Sequence, residues 1–294
     1  MEEYSGHEMN PPYPPPVDQL LTLDMPDVSG GRDYLALGLG PEHIPDLIRL
    51  ATDEKLRWEA ADDDPALWAP IHAWVALGQL RAEAAVEPLL SQLRHVDEHD
   101  DDWAGEELPR VFGMIGPAAI PALAAYLTDN RRGLWARVAA ASGLKEIGQR
   151  RPEARAECAA ALTRTLEQFA DNDPALNGAI VSDLIDLKTV EAAPVIEQAF
   201  AAGRVDEMVM GDWEDAQIAL GLKATRERPR QPTLWDALLP PAFRPPAVEP
   251  ERPVPDHIRR WNEQVEAGAR AKAQVRAEKA AHKEEQKRRR RKKR

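Results

Sequence analysis

A tryptophan–alanine pair followed by an apolar stripe recurs along this chain and constrains its fold more than any other feature. Trp68, Trp103 and Trp135 each precede an alanine, from which apolar residues follow at steps of four, four and three. A copy without tryptophan begins at Leu176, and a weaker one begins at Trp213 and keeps Ile218 and Leu222. Steps of three and four place these side chains on one face of a helix, whereas a strand needs alternation by two. The four clear stripes are Ala69-Ala73-Leu77-Leu80, Ala104-Leu108-Phe112-Ile115, Ala136-Ala140-Leu144-Ile147 and Leu176-Ile180-Leu184-Leu187.

A second helix is predicted after a short break in each unit. Gly116-Pro117 is followed by Ile120-Pro121, and the same pattern stands 76 residues earlier, which is two periods of 38. Pro88 and Pro194 occupy the same place in two other units. Glycine ends a helix readily because it tolerates the left-handed conformation, and proline suits the first turn of the next helix. Each unit therefore reads as helix, break, helix, with a period of about 32 to 40 residues that is typical of helical-hairpin repeats.

The break motif resembles that of a known repeat family. The segment 115–123, Ile-Gly-Pro-Ala-Ala-Ile-Pro-Ala-Leu, is similar to the helix end and Ile-Pro-x-Leu start of HEAT-like repeats of the phycobilisome-lyase type, and the resemblance covers residues 33–222. The body also resembles, more loosely, a bacterial family of HEAT-repeat proteins with no assigned function. The resemblance implies an all-α protein, a right-handed α-solenoid of about five HEAT-like hairpins. It implies little about activity, because that superfamily holds bilin lyases and a diiron hydroxylase among many interaction scaffolds.

Composition indicates a soluble protein of a reducing compartment. Cys158 is the only cysteine among 294 residues, so a disulfide within the chain is impossible. No segment approaches the ~18 consecutive apolar residues of a membrane span. The first residues are acidic and lack the basic-then-apolar pattern of a signal peptide. We therefore predict a cytoplasmic location.

Changes in composition divide the chain into four segments. Residues 1–32 form a Pro-rich lead, for which two interpretations stand: a ligand for an aromatic groove, or an extended arm that packs along the first repeat or stays disordered. The second is favoured because such leaders are common. Val17 to Leu23 is expected to form a short helix. The predicted segments are the lead 1–32, the repeat body 33–222, a Pro-rich linker 223–255 and a charged helix with a basic tail 256–294.

The C-terminal part carries two candidate contact elements. Trp235 lies with three leucines in an apolar island, residues 234–239, that is expected to dock on the body of this chain or in a partner's groove. The chain then ends in eight consecutive cations: Lys287, Arg288, Arg289, Arg290, Arg291, Lys292, Lys293 and Arg294. Residues 251–294 hold 16 Lys and Arg against 7 Asp and Glu, a net +9, which leaves −21 for the rest of the −12 total. Nucleic acid, the acidic body itself and another acidic partner all remain open as targets of this tail.

One stretch has the residue types of a metal site, the run from His95 to Asp102, written His-Val-Asp-Glu-His-Asp-Asp-Asp. Its imidazoles and carboxylates suit a divalent ion. It lacks the spacing and the glycine of a calcium loop, consecutive residues cannot all point at one ion, and acidic residues are common at helix N-termini for electrostatic reasons. We therefore predict no metal site here.

No other pattern indicates an enzyme. The diiron members of the superfamily carry His-Glu pairs on repeated helices, whereas here His43 and His72 lie inside repeats without a following glutamate. His72 is expected to be a helix residue beside Trp74. Cys158, among alanines on a predicted second helix, is expected to be a small buried residue and not a nucleophile. We predict no catalytic residue and no cofactor.

The sequence thus favours a non-enzymatic scaffold or adaptor that binds a protein partner through its repeats, with the tail adding an electrostatic contact. The alternative is a lyase-like or accessory protein acting on a modified or chromophore-bearing partner. By resemblance the second helices line the binding face, with Arg49, Gln92, Tyr126, Arg164 and Gln198 expected to be exposed. The candidate partner-binding residues are Tyr126, Arg164, Trp235 and the cations 287–294.

Overall fold

The computed structural model describes residues 13–26, 31–61 and 63–227. These residues form helices and turns, with no strand among them, which confirms the all-α prediction for this part of the chain. The α-helices, in chain order, are α1 (Ile44–Ala51), α2 (Glu54–Trp58), α3 (Ala69–Gln79), α4 (Val86–Gln92), α5 (His95–Glu98), α6 (Asp102–Ile115), α7 (Ile120–Thr128), α8 (Leu134–Arg150), α9 (Arg155–Leu166), α10 (Pro174–Asp186), α11 (Ala193–Ala201), α12 (Glu207–Met210) and α13 (Trp213–Ala219).

Four helix pairs follow the predicted repeat. Each pair holds a first helix (α3, α6, α8 or α10) and a second helix (α4, α7, α9 or α11). The first helices contact one another in series, α3 with α6, α6 with α8 and α8 with α10. The second helices do the same, α4 with α7, α7 with α9 and α9 with α11. Helices in equivalent places of successive units are therefore neighbours in space.

The predicted apolar stripes form the core between the helices. Every stripe position of the second, third and fourth copies is buried, and Phe112 in α6 has no exposed surface. Burying a side chain of this size stabilises the fold by about 1.5–3 kcal/mol. For the weak copy that begins at Trp213, the predicted burial is wrong at the last position, because Leu222 is 47% exposed. The chain leaves the helical path at Gly221, whose φ of +78° lies in the left-handed region.

The predicted break between paired helices is present in every pair. Gly116 ends α6 with a φ of +99°, a conformation that L side chains rarely adopt. A 3-10 turn then leads into each second helix and supplies its first backbone hydrogen bonds. These turns are Glu83–Ala85, Pro117–Ala119, Pro152–Ala154 and Val190–Ala192.

The described part of the Pro-rich lead packs on the body. Val17 and Leu20 are fully buried in the core, within a 3-10 helix, Val17–Thr22, at the place where a short helix was predicted. The hydroxyl of Tyr13 donates a hydrogen bond of 2.7 Å to Asp53, and the guanidinium of Arg49 lies 4.0 Å above the Tyr13 ring. The packed-arm interpretation is therefore confirmed from residue 13 to residue 26.

The packed body continues past residue 222, where the sequence predicts its end. The ammonium of Lys223 lies 2.6 Å from a carboxylate oxygen of Glu214 in α13. Arg226 forms ion pairs with Asp212 and Asp215 at the start of the same helix. These cations neutralise an acidic helix N-terminus, and the backbone N–H of Glu227 donates a hydrogen bond of 2.8 Å to Glu214, so the contacts of the body extend to residue 227. The rest of the predicted linker (228–255), the island with Trp235 and the helix with its basic tail lie outside the described residues and stay predictions.

No single helix of the described residues combines the length and the apolar composition needed to cross a bilayer. One pair, Asp102–Ile115 with Pro117–Thr128, meets those criteria only when its members are joined, and they meet at an angle of 117°.

Candidate functional site: grooves between the second helices

One groove of the described surface lies between α9 and the turn, Val190–Ala192, that leads into α11. It has a volume of about 640 Å³. Along α9, Ala156 and Ala160 face outwards at a spacing of one helical turn, while Cys158 and Leu162 face the core. Small outward side chains leave a depression, so the sequence of α9 itself creates the groove. The residues that line it are Pro152, Arg155, Ala156, Ala159, Ala160, Thr163, Arg164, Glu167, Thr189, Glu191 and Ala192.

Charged side chains rim this groove. Arg155 is held in place, because its guanidinium donates hydrogen bonds to the backbone carbonyls of Leu187 (2.5 Å) and Lys188 (2.9 Å) at the end of α10. Arg164 is exposed, as predicted, and within the described residues it forms neither an ion pair nor a hydrogen bond through its side chain. The groove thus offers a small apolar floor and one guanidinium that is available to an acidic or carbonyl-bearing partner.

A second groove, of about 490 Å³, lies between α4 and α7. Tyr126 forms part of its wall, but the prediction that this side chain is exposed is wrong, since only 8% of its surface is accessible. The guanidinium of Arg132 lies 4.8 Å from the ring centroid and covers it. Burial also raises the pKa of the Tyr126 hydroxyl. Tyr126 therefore forms part of the groove wall, and the side chain of Arg132, which covers the Tyr126 ring, is the one that faces the solvent.

An ion-pair cluster closes one end of this second groove. Asp129 accepts hydrogen bonds from Arg131 (2.8 Å) and Arg132 (3.1 Å). The hydrogen bonds from Arg131 hold the pKa of the Asp129 carboxyl well below its usual value. The cluster stands at the solvent boundary, where such pairs contribute little to stability. Its consequence for binding is a basic rim on one side of the groove.

Of the other second-helix positions that were predicted to be exposed, one is exposed, one is buried and one is half-buried. Gln198 in α11 is exposed as expected. Gln92 is 5% exposed, so its predicted exposure is wrong, because it follows Leu89 by three residues and shares the buried face of α4. Arg49 is half-buried over Tyr13, where the N-terminal arm crosses α1. The arm therefore covers part of the face that the sequence assigned to a partner.

The first-helix side also carries an exposed aromatic side chain. Trp135, at the start of α8, is 52% exposed, whereas Trp68 and Trp103 pack edge to face with ring centroids 5.3 Å apart. Trp135 borders a groove of about 290 Å³ together with Val96 and Val138. Exposed tryptophans are frequent anchors of protein interfaces, so this groove is a second place for a partner.

The remaining candidates have structural roles. His72 is buried: its Nδ1 lies 2.6 Å from the Tyr34 hydroxyl and its Nε2 lies 2.9 Å from the carbonyl of Asp24. Cys158 is fully buried in α9, as predicted, and burial raises the pKa of its thiol to about 11. In the acidic run, Asp101 caps α6 by accepting hydrogen bonds from the backbone N–H groups of Trp103 and Ala104. That use at a helix N-terminus is the one expected from the sequence.

Comparison with known proteins adds no relative: no family model, no curated protein and no solved structure matches this chain. Of the predicted partner-binding residues, Tyr126 and Arg164 line grooves between second helices. Trp235 and the cations 287–294 lie outside the described residues.

Proposed function

We propose that this protein is a non-enzymatic scaffold or adaptor that binds a protein partner in the grooves between its second helices. We propose further that the helix pairs belong to a right-handed α-solenoid of HEAT-like hairpins. The serial contacts among first helices and among second helices support this arrangement, since each repeat of a solenoid contacts its neighbours.

The observation that carries the proposal is the groove between α9 and the turn that leads into α11. Its floor of Ala156, Ala160 and Thr163 admits close approach of another backbone, and the exposed guanidinium of Arg164, which has no partner among the described residues, stands at its rim. A helix or an extended peptide with a carboxylate opposite Arg164 fits this combination of shape and charge. Binding of such a segment buries apolar surface at the floor and orders one charge pair at the edge.

The basic tail is proposed to add a second, electrostatic contact. Its support is the charge distribution of the sequence, a net +9 over residues 251–294 against −21 over the rest. A cationic run of this kind attracts nucleic acid or an acidic protein surface and makes binding depend on salt. The acidic body, by contrast, does not favour direct nucleic-acid binding by the repeats.

Affinity capture from native extract with groove variants tests the proposal. Ala160→Arg places a long cationic side chain on the groove floor, and Gln149→Arg adds the same charge at an exposed position of the first helix α8. Because both sites are exposed, both variants are expected to fold like the parent chain. We expect Ala160→Arg to lose the captured protein by at least about tenfold and Gln149→Arg to retain it.

Two other results would redirect the assignment. Loss of the captured protein in Trp135→Ser, with retention in Ala160→Arg, would move recognition to the first-helix side and contradict the groove assignment. A chromophore that co-purifies with the full chain would contradict the non-enzymatic scaffold and support the lyase-like alternative.

A further inference from the structure

The short helix α5 brings together three metal-binding side chains from the acidic run. His95 and Glu98 lie in α5 and His99 is its C-cap residue, so the three stand at positions i, i+3 and i+4. One ligand atom from each residue lies within 4.8 Å of the others. Their neighbours in the run point elsewhere, since Asp97 and Asp101 cap α8 and α6. The run therefore divides into capping carboxylates and one converging group.

His95 is the unusual member of this group. It is 3% exposed, and neither of its ring nitrogens has a hydrogen-bond partner within the described residues. Its Nδ1 is 3.9 Å from Glu98 and its Nε2 is 3.8 Å from Glu54, both beyond hydrogen-bond distance. The other buried histidine, His72, has a partner on each nitrogen. Buried polar atoms without partners are rare and call for an explanation such as an ion.

Trp58 and the carboxylates of Glu54 and Glu98 lie around His95, while Glu98 and His99 are open to solvent. The Trp58 ring stacks on His99 with centroids 4.5 Å apart and lies 5.3 Å from His95. A buried imidazole with no hydrogen-bond partner among the described residues, beside the carboxylates of Glu54 and Glu98, is a donor set for a cation.

We propose that His95, Glu98 and His99 bind a divalent transition-metal ion of the Zn²⁺ class. Two imidazoles and one carboxylate are the donors that Zn²⁺ prefers, whereas Mg²⁺ and Ca²⁺ prefer oxygen ligands alone. Glu54, close to the Nε2 of His95, is placed to accept a hydrogen bond from the ring nitrogen that the metal leaves free, or to act as a fourth ligand.

Arg94 competes with the metal for the same carboxylates. Its guanidinium pairs with Glu54 and lies 3.4 Å from Glu98. Its side chain is 37% exposed and can turn towards solvent when a cation takes its place. Removing this competing charge should therefore strengthen metal binding, an effect that a purely structural role of the cluster does not produce.

Zinc binding to the chelator-stripped full chain tests the proposal, with affinity measured by competition against a chromophoric chelator. We expect one Zn²⁺ per chain at this site. His99→Gln and Glu98→Gln, both at exposed positions, should each weaken binding by about tenfold or more. Arg94→Gln should tighten it. His43→Gln, a histidine change outside the cluster, should leave the affinity unchanged.

Two outcomes overturn the proposal. One is the absence of stoichiometric Zn²⁺ binding by the full chain. The other is an affinity that His99→Gln and Glu98→Gln do not change, which would place bound metal elsewhere. Thermal unfolding of each variant without metal verifies that it folds.

Discussion

The carboxylate of Asp97 caps the helix that begins beside Trp135, 38 positions later in the chain. Its two oxygens accept hydrogen bonds from the backbone N–H groups of Trp135 (3.0 Å) and Ala136 (2.8 Å). The residue at the local cap position, Gly133, has no side chain to offer. A Cβ added to Gly133 would collide with the Asp97 carboxylate, so glycine here leaves room for a cap supplied by the preceding unit.

Removing this cap should destabilise the body. Asp97→Ala leaves the first N–H groups of α8 without a side-chain acceptor, and we expect a loss of about 0.5–2 kcal/mol in the free energy of unfolding by urea denaturation. Gly133→Ala should cost a similar amount, and the double variant should cost less than the sum, since both changes disrupt one interaction. Asp171→Ala, at an exposed turn position, is the control. Additive costs would show that Asp97 does not cap α8.

His72 predicts a loss of stability in mild acid. Burial lowers its pKa below the ordinary value of 6.5, so the folded protein favours the neutral ring. The unfolded chain therefore binds more protons than the folded protein. The stability that the neutral His72 ring contributes is present above pH 6.5 and is lost as the pH falls below that value. Between pH 7.5 and pH 5, His72→Gln should lose less stability than the parent chain in urea denaturation. Equal losses in the two proteins would contradict this assignment.

Asp183 predicts the opposite dependence on pH, a loss of stability as the pH rises. Burial in α10 raises its pKa from 3.8 to about 7, although Lys145 lies 3.9 Å away. The folded state therefore binds more protons than the unfolded chain, so the stability that this carboxyl supplies when protonated is lost as the pH rises from about 4 to about 7. Relative to the parent chain, Asp183→Asn should gain stability between pH 5 and pH 8. Asp171→Asn, at an exposed position that is not among the groups that shift the Asp183 pKa, should show no such trend.

Cys158 should be inert in the folded protein. The thiol is fully buried, and a pKa of about 11 leaves little thiolate at pH 8. A thiol reagent such as dithionitrobenzoate should react with one equivalent only after denaturation. In a Cys158→Ala chain, Ala160→Cys on the outward face of the same helix should react at once. Rapid labelling of the native parent chain would mean that α9 does not pack as described.

The repeat made the first helices predictable from sequence. The stripe fixes which face of α6 is buried, and Gly116-Pro117 fixes where α6 ends, because both signals are local. Exposure on the second helices was predicted less well. The resemblance placed Tyr126 on the exposed face of α7, but Tyr126 follows Leu123 by three residues, a spacing that puts it on the buried face.

The converging group on α5 was only partly predictable. The i, i+3, i+4 spacing of His95, Glu98 and His99 is visible in the sequence, but it lies within a longer run whose consecutive side chains cannot all converge on one ion. The contribution of Glu54 and Trp58 was not visible, since α2 is five residues long and its position depends on tertiary contacts. Short helices without an apolar stripe carry no periodic signal.

The most direct test of the scaffold account compares affinity capture from native extract by the full chain and by a chain ending at Glu227, each with and without nuclease. The shorter chain keeps every core residue of the described structure, which runs from Tyr13 to Leu220. The account predicts that one protein partner is captured in all four conditions, because the grooves between the second helices provide the recognition. If everything captured disappears with the tail or with nuclease, the tail carries the binding and the central claim is wrong.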